Sequence, residues 1–206
     1  MEPFLTHEGV AAALLRPNID TDAIIPSREM KTVGKTGLAA GLFAGWRYSD
    51  AATRTDDPAF VLNRPEQRGS TIVLAGPNFG CGSSREHAVW ALKEYGIRVI
   101  VAPSFGAIFA GNCVRNGLLP LVLAMPLVEA LAEAVASDPQ QRRVLIDLAR
   151  CELIGPDGLR HAFEIAPSQR EMLMKGLDPI GLTLQSAGAI DDFQARDRVL
   201  RPWIYF

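Results

Sequence analysis

The residues best suited to chemistry lie in one turn, Gly76-Pro77-Asn78-Phe79-Gly80-Cys81-Gly82-Ser83-Ser84-Arg85-Glu86-His87-Ala88. Two adjacent hydroxyls, Ser83 and Ser84, stand beside a guanidinium, Arg85. A guanidinium is permanently charged, and its forked donors match a carboxylate. Gly76, Gly80 and Gly82 allow a ligand to come close to the main chain. Ser83 and Glu86 have the spacing of a capping box, which predicts a helix beginning here. Free N–H groups and the positive dipole end of such a helix attract an anion. The chemistry expected is therefore capture of a small anion, above all a carboxylate. The structural alternative is that Ser83 serves only as a helix cap and Arg85 only as a solvated first-turn residue. The order of residues excludes three better-known turns. No Gly-Lys-Ser/Thr follows, so it is not a phosphate-binding Walker loop; it is neither G-x-G-x-x-G nor a G-x-S-x-G nucleophile elbow.

Around this turn the chain alternates strands and helices. Residues 71–75 are an apolar run that reads as a strand leading in, and 84–95 a helix leading out. Ala88, Ala91, Leu92 and Tyr95 share one face of that helix, and Gly96 is its stop. Residues 99–102 are β-branched and continuous, as in a strand buried on both faces. Residues 104–112 read as a helix capped by Ser104, 118–123 as a strand, and 125–137 as a helix with Leu127, Leu131 and Val135 aligned. Strands are expected at 144–148 and 151–154, with Pro156-Asp157-Gly158 turning into a partner at 160–165. A helix over 167–175 has Pro at its start and Gly176 at its end. Residues 191–200 suit a terminal helix, and 201–206 form an aromatic tail expected to dock on a surface.

Nearer the N-terminus, residues 4–15 read as a strand with a turn at His7-Glu8-Gly9. Asp20 and Asp22 fall in a turn before Ile24-Ile25, where Asp side chains commonly bond nearby backbone N–H groups. Residues 27–58 are rich in Gly, Lys, Arg, Thr and Ala and read as a mobile excursion with a short helix over 38–43. Loops of this length are usually functional or disordered. With no repeat or linker, 1–206 reads as one mixed α/β domain carrying that loop and a C-terminal tail at 191–206.

Composition narrows the classes. The chain has 206 residues, 48% of them hydrophobic, and a net charge of -2. That charge argues against nucleic acid or an acidic membrane as partner. No apolar run approaches the ~20 residues that span a bilayer. Met1-Glu2-Pro3-Phe4 lacks the basic and apolar regions of a secretory signal. Cys81, Cys113 and Cys151 are odd in number and widely spaced, which fits a reducing cytoplasm rather than a disulfide framework. They also lack the close spacing of an iron–sulfur motif. Cys81 reads as a small residue in a tight turn, His87 as a packed first-turn residue, and Asn78 and Phe79 as turn and packing residues.

The segment Gly80-Cys81-Gly82-Ser83-Ser84-Arg85-Glu86-His87-Ala88 resembles the signature of the swivelling domain of the aconitase superfamily. Asn18-Ile19-Asp20-Thr21-Asp22-Ala23-Ile24-Ile25-Pro26 and Ser104-Phe105-Gly106-Ala107-Ile108-Phe109-Ala110-Gly111-Asn112 resemble two others in the same order. With Gly176-Leu177-Asp178-Pro179-Ile180-Gly181-Leu182-Thr183-Leu184, the pattern is similar to the small-subunit family of 3-isopropylmalate dehydratases over residues 4–190. The resemblance implies a swivelling β/β/α domain with a mixed sheet and flanking helices. It implies a hydro-lyase that moves a hydroxyl between neighbouring carbons by dehydration and rehydration, in leucine biosynthesis. Ser83 matches the family's catalytic base and Asp22 an acidic active-site residue. Ser84 and Arg85 match positions that bind substrate carboxylate.

The segment after Ile-Ile-Pro faces substrate in that family, which points to Arg28, Glu29, Met30, Lys31 and Thr32, with Met30 and Lys31 as substrate-binding candidates. A Gln and an aromatic are commoner where Arg28 and Glu29 stand, so the choice of acid stays open among isopropylmalate, citraconate, dimethylmalate and homoaconitate types. The family's [4Fe–4S] cluster belongs to a separate large subunit, expected as partner in a heterodimer or heterotetramer. No metal site is expected on this chain. A non-catalytic subunit that only holds a carboxylate is the competing reading from another class.

Overall fold

The computed structural model describes residues 1–31 and 34–205. In chain order, β1 (Thr6–Leu14) leads to a single-turn helix α1 (Thr21–Ile24), then α2 (Ala44–Arg47) and a small ribbon of β2 (Tyr48–Asp50) and β3 (Thr55–Asp56). There follow β4 (Ser70–Ala75), α3 (His87–Tyr95), β5 (Val99–Ala102), α4 (Ala107–Asn116), β6 (Leu119–Val122) and α5 (Met125–Ala136). The last part is β7 (Val144–Asp147), β8 (Glu152–Ile154), β9 (Arg160–Ala162), α6 (Pro167–Lys175), α7 (Pro179–Leu184) and α8 (Ala187–Leu200).

Seven strands make one mixed sheet in the order β6-β5-β4-β1-β7-β8-β9. From β6 to β1 neighbours run parallel, and from β1 to β9 antiparallel. The central strands are apolar on both faces, and the pleat sends alternate side chains into two cores. Val73, Ala75, Ile100 and Ala102 meet Ala88, Val89, Ala91 and Leu92 of α3 and Phe109 and Cys113 of α4. Ile72, Leu74, Val99 and Val101 meet Val128, Leu131, Ala132 and Val135 of α5 and Leu173 of α6.

This topology places the three sequence motifs together. Residues 18–26, 76–88 and 104–112 each follow the C-terminal end of one parallel strand, β1, β4 and β5 respectively. The carboxyl ends of parallel strands are where open α/β sheets bind ligands.

Several elements differ from the sequence expectation, each for a local reason. β1 runs straight through His7-Glu8-Gly9 with no turn. The His7 ring bonds the Thr71 hydroxyl at 2.7 Å, and a Cβ on Gly9 would collide with that same hydroxyl. Gly9 thus marks a close approach between strands rather than a bend. Residues 27–58 hold more structure than their composition suggests. Leu38, Leu42 and Phe43 are fully buried, with a 3-10 turn at Ala39–Gly41 instead of a helix over 38–43. β9 ends at Ala162, short of 165. An extra helix, α7, is capped by Asp178, which accepts from Gly181 N at 2.7 Å. α8 starts at Ala187, ahead of the expected 191. The tail folds back on α8: the Tyr205 hydroxyl donates to Asp197 at 2.7 Å, while Trp203 stays 68% exposed.

Gly80 is the tightest point in the frame beneath the motifs. Its φ is +73°, and a Cβ there would lie inside the Phe109 ring. Gly80→Ala is expected to cost about 2–5 kcal/mol, combining left-handed strain with overpacking. Urea unfolding of the purified chain measures it; a loss under about 1 kcal/mol would mean that the ring gives way freely.

Candidate active site

Five main-chain hydrogen bonds knit the motifs into one surface. The turn at 76–88 is held on one side by Asn18 N to Pro77 O (2.9 Å), Gly80 N to Ile19 O (2.7 Å) and Thr21 N to Cys81 O (2.9 Å). On the other side Phe79 N donates to Ser104 O (3.1 Å) and Gly106 N to Phe79 O (2.9 Å). A Cβ on Gly106 would come within 2.6 Å of Gly80 O, so the close passage of these two strands of chain demands glycine. Phe79 is fully buried and meets Phe109 edge to face, its ring centroid 5.5 Å away.

On this frame Ser83 is half-buried, with its Oγ 2.7 Å from the Oγ1 of the buried Thr21. Ser83 N also donates to Thr21 Oγ1 at 3.1 Å. Either hydroxyl can donate to the other while both are neutral. If Ser83 loses its proton, only Thr21 has one left to give, so this contact favours the alkoxide. Among the described residues the N–H groups of Ser84 and Arg85 make no hydrogen bond, leaving two further donors beside Ser83. Ser84 is exposed. Arg85 forms an ion pair with Asp22, whose side chain is 60% exposed. The pair orients the guanidinium at the surface with donors still free for an incoming carboxylate.

The capping box is not formed. α3 begins at His87, later than the expected 84, and no side chain caps it. Ser83 is committed to Thr21, and the Glu86 carboxylate accepts from Asn116 Nδ2 at 2.6 Å. Ser83 therefore sits in irregular chain ahead of the helix. Ser104 does not cap a helix at 104 either. α4 starts at Ala107, and Ser104 Oγ accepts from Asn78 N at 2.9 Å.

Ser83, Ser84, Arg85 and Asp22 are thus brought together. Met30 and Lys31 make no hydrogen bond or ion pair to that turn among the described residues; Met30 packs on the core and Lys31 is exposed. Thr32 lies outside the described residues. Glu29 turns inward to Arg54, 2.6 Å away. His87 packs on Trp90, ring centroids 4.7 Å apart. Thr21 is the residue that sequence reasoning missed. Its only signal was its place between Asp20 and Asp22, and Asp20 takes the ordinary turn role by accepting from Ala23 N at 2.7 Å.

Among the described residues no three His, Cys, Asp or Glu side chains gather as ligands. Cys113 is fully buried, and burial pushes its thiol well above the ordinary range, away from the thiolate that a metal needs. The arrangement suits proton transfer at Ser83 and carboxylate binding at Arg85.

A mixed sheet with a serine turn at the strand ends defines the swivelling-domain class of the aconitase superfamily. The profile of the aconitase C-terminal domain matches residues 1–126, and that of the C-terminal domain of 3-isopropylmalate dehydratase small subunits matches residues 180–205. A 3-isopropylmalate dehydratase small subunit from Cupriavidus necator is 64% identical over 206 residues, covering 100% of this chain and 99% of that one. One from Rhodospirillum centenum is 49% identical over 98% of each. A crystal structure of 3-isopropylmalate dehydratase from Methanocaldococcus jannaschii superimposes with a TM-score of 0.65 at 27% identity, covering 92% of this chain and 99% of that one. The chain belongs to the family of 3-isopropylmalate dehydratase small subunits.

The Asp22–Arg85 pair lies at the surface, where an ion pair contributes about 0–1 kcal/mol. Asp22→Asn is therefore expected to leave the urea midpoint almost unchanged. A loss above about 2 kcal/mol would make the pair a fold contact instead of a site contact.

Proposed function

We propose that this chain supplies the proton-transfer half of a shared active site, with Ser83 as the base. As a small subunit of 3-isopropylmalate dehydratase it is part of a hydro-lyase of leucine biosynthesis, acting with a large subunit. Isomerisation of 2- and 3-isopropylmalate through isopropylmaleate requires a proton to leave one carbon and hydroxide to leave its neighbour. In the proposed scheme Ser83 Oγ takes the proton from carbon, and the electron pair of that C–H bond becomes the new C=C bond as hydroxide departs. In rehydration, hydroxide bonds to the carbon that lost its proton, and the C=C electron pair takes a proton from Ser83 Oγ at the carbon that lost hydroxide. A hydroxyl is a weak base, and its anion needs preorganised donors. Thr21 Oγ1–H and the N–H groups of Ser84 and Arg85 are the donors at hand. Arg85, steadied by Asp22, receives a substrate carboxylate together with the Ser84 hydroxyl.

The observation that carries this reading is the 2.7 Å contact of Ser83 with the buried Thr21 hydroxyl. The Lewis acid that draws off hydroxide is expected on the large subunit as a [4Fe–4S] cluster. Lys31 and Met30 are proposed to line the substrate's side-chain end. With Arg28 and Glu29 in place of the commoner pair, the segment leaves a related hydroxy acid as the second substrate reading. The two chains would meet as a heterodimer or heterotetramer in the cytoplasm, which suits free Cys81, Cys113 and Cys151. Among the described residues no helix is long and apolar enough to cross a membrane. Phe193, Val199 and Leu200 of α8 and Trp203 are more than half exposed, and apolar exposure on this scale supports burial against a partner.

In the anaerobically assembled two-chain enzyme, Ser83→Ala is expected to lower kcat by about 10²–10⁴-fold with substrate binding retained. Thr21→Val is expected to cost about 10²-fold, as loss of one oxyanion donor does. Unchanged turnover with weakened binding in Ser83→Ala would favour the carboxylate-holding reading. Competing substrates at fixed enzyme identify the acid.

A further inference from the structure

A cavity of about 450 Å³ lies between α3, the C-terminal end of α4 and the N-terminal segment. It shares no lining residue with the serine turn. Lys35, Lys93 and Arg115 face it, and Trp90 and Asn116 form its wall. Among the described residues none of the three cations has a carboxylate partner. Each leans on a neutral group instead. Lys93 Nζ donates to Asn116 O at 2.7 Å, Arg115 to the Asn112 amide oxygen, and Lys35 Nζ lies 5.1 Å from the Trp90 ring centre.

Two carboxylates, Glu94 and Asp178, also line it, and both accept backbone N–H groups. Glu94 accepts N–H groups from Gly37, Leu38 and Ala39 at 2.6, 2.5 and 2.9 Å, and Asp178 caps α7. Those hydrogen bonds leave both carboxylates charged, so the three cations Lys35, Lys93 and Arg115 outnumber them three to two, and the net positive lining concentrates anions. Burial, with repulsion from Arg98 and Lys35 and with Glu2 opposing, holds the Lys93 pKa below the ordinary value.

We propose that this cavity binds a small multivalent oxyanion, gripped by Lys35, Lys93 and Arg115 against the wall made by Trp90 and Asn116. The volume is in the range of small-molecule sites, about 300–1,000 Å³, and suits a di- or tricarboxylic acid or a phosphate. The ligand bridges two parts of the chain. Lys35 lies on the segment that follows Ile-Ile-Pro, whereas Lys93 lies on α3, the helix that follows Ser83. Glu94 already ties residues 37–39 to that helix, and an anion between Lys35 and Lys93 adds a second tie.

The Trp90 indole N–H, which donates to Asn116 Oδ1 at 3.1 Å, reports from the cavity wall. The test titrates the full-length chain with citrate and separately with inorganic phosphate, at constant ionic strength set by sodium chloride, following indole N–H resonances. A saturable shift of the Trp90 resonance is expected, and the tighter of the two anions identifies the carboxylate or phosphate class. Lys35→Gln/Arg115→Gln should weaken binding at least about tenfold. It should also abolish the anion-dependent rise in Tm while keeping the Tm measured without anion. Ser83→Ala should bind as the wild type does, which separates this site from the catalytic reading. No saturable shift with either anion, an equal shift from chloride alone, or undiminished binding by the double variant would overturn the proposal.

Discussion

Two hydroxyls 2.7 Å apart, on residues separated by 62 positions, hold the site in register. Thr21 receives the Ser83 N–H and anchors its own N–H on Cys81, so the two motifs are tied by main chain and side chain at once. Burial of Thr21 keeps water from competing for its hydroxyl, which makes the contact electrostatically stronger than at the surface. Neither motif alone can create this environment. A serine in irregular chain before a helix is ordinary; one facing a buried donor is prepared to carry negative charge.

The sheet makes that contact possible. β1 is the strand where the parallel half of the sheet meets the antiparallel half, and its C-terminal end lies beside that of β4 because the two pair in parallel. Residues leaving these ends are neighbours by construction, and β5 brings the third motif alongside. Glycines at 80 and 106 then let the connecting segments pass at distances that a side chain would forbid. The packed phenylalanines Phe79, Phe105 and Phe109 support the turn from beneath. Rigidity below and polar groups above follow from one arrangement of strands.

Much of this was legible in the sequence. β5 and α6 lie where they were expected, because a continuous β-branched run and a Pro-to-Gly bracket are local signals. The serine turn and the motifs at 18–26 and 104–112 were legible in chain order through family likeness, while their meeting in space comes from the parallel strands. The misses were tertiary. The Ser83–Glu86 spacing suggests a capping box, but Thr21 and Asn116 compete for those side chains from far along the chain. Gly9 reads as a turn because nothing nearby in sequence announces Thr71 as its neighbour. Residues 27–58 read as loop because their few large apolar side chains, Leu38, Leu42 and Phe43, are diluted among small and polar ones that stay outside. Thr21 drew no reading of its own, because its neighbours Asp20 and Asp22 are the stronger turn formers.

In the proposed mechanism, catalysis depends on where the Ser83 oxygen lies relative to a substrate held between this chain and a large subunit. The direct measurement is a structure of the assembled enzyme with 2-isopropylmalate in place. Ser83 Oγ is predicted to lie about 3–3.5 Å from the carbon that surrenders its proton, with the Thr21 hydroxyl still in contact behind it. A structure in which another group stands at that carbon while Ser83 faces only protein would contradict the account.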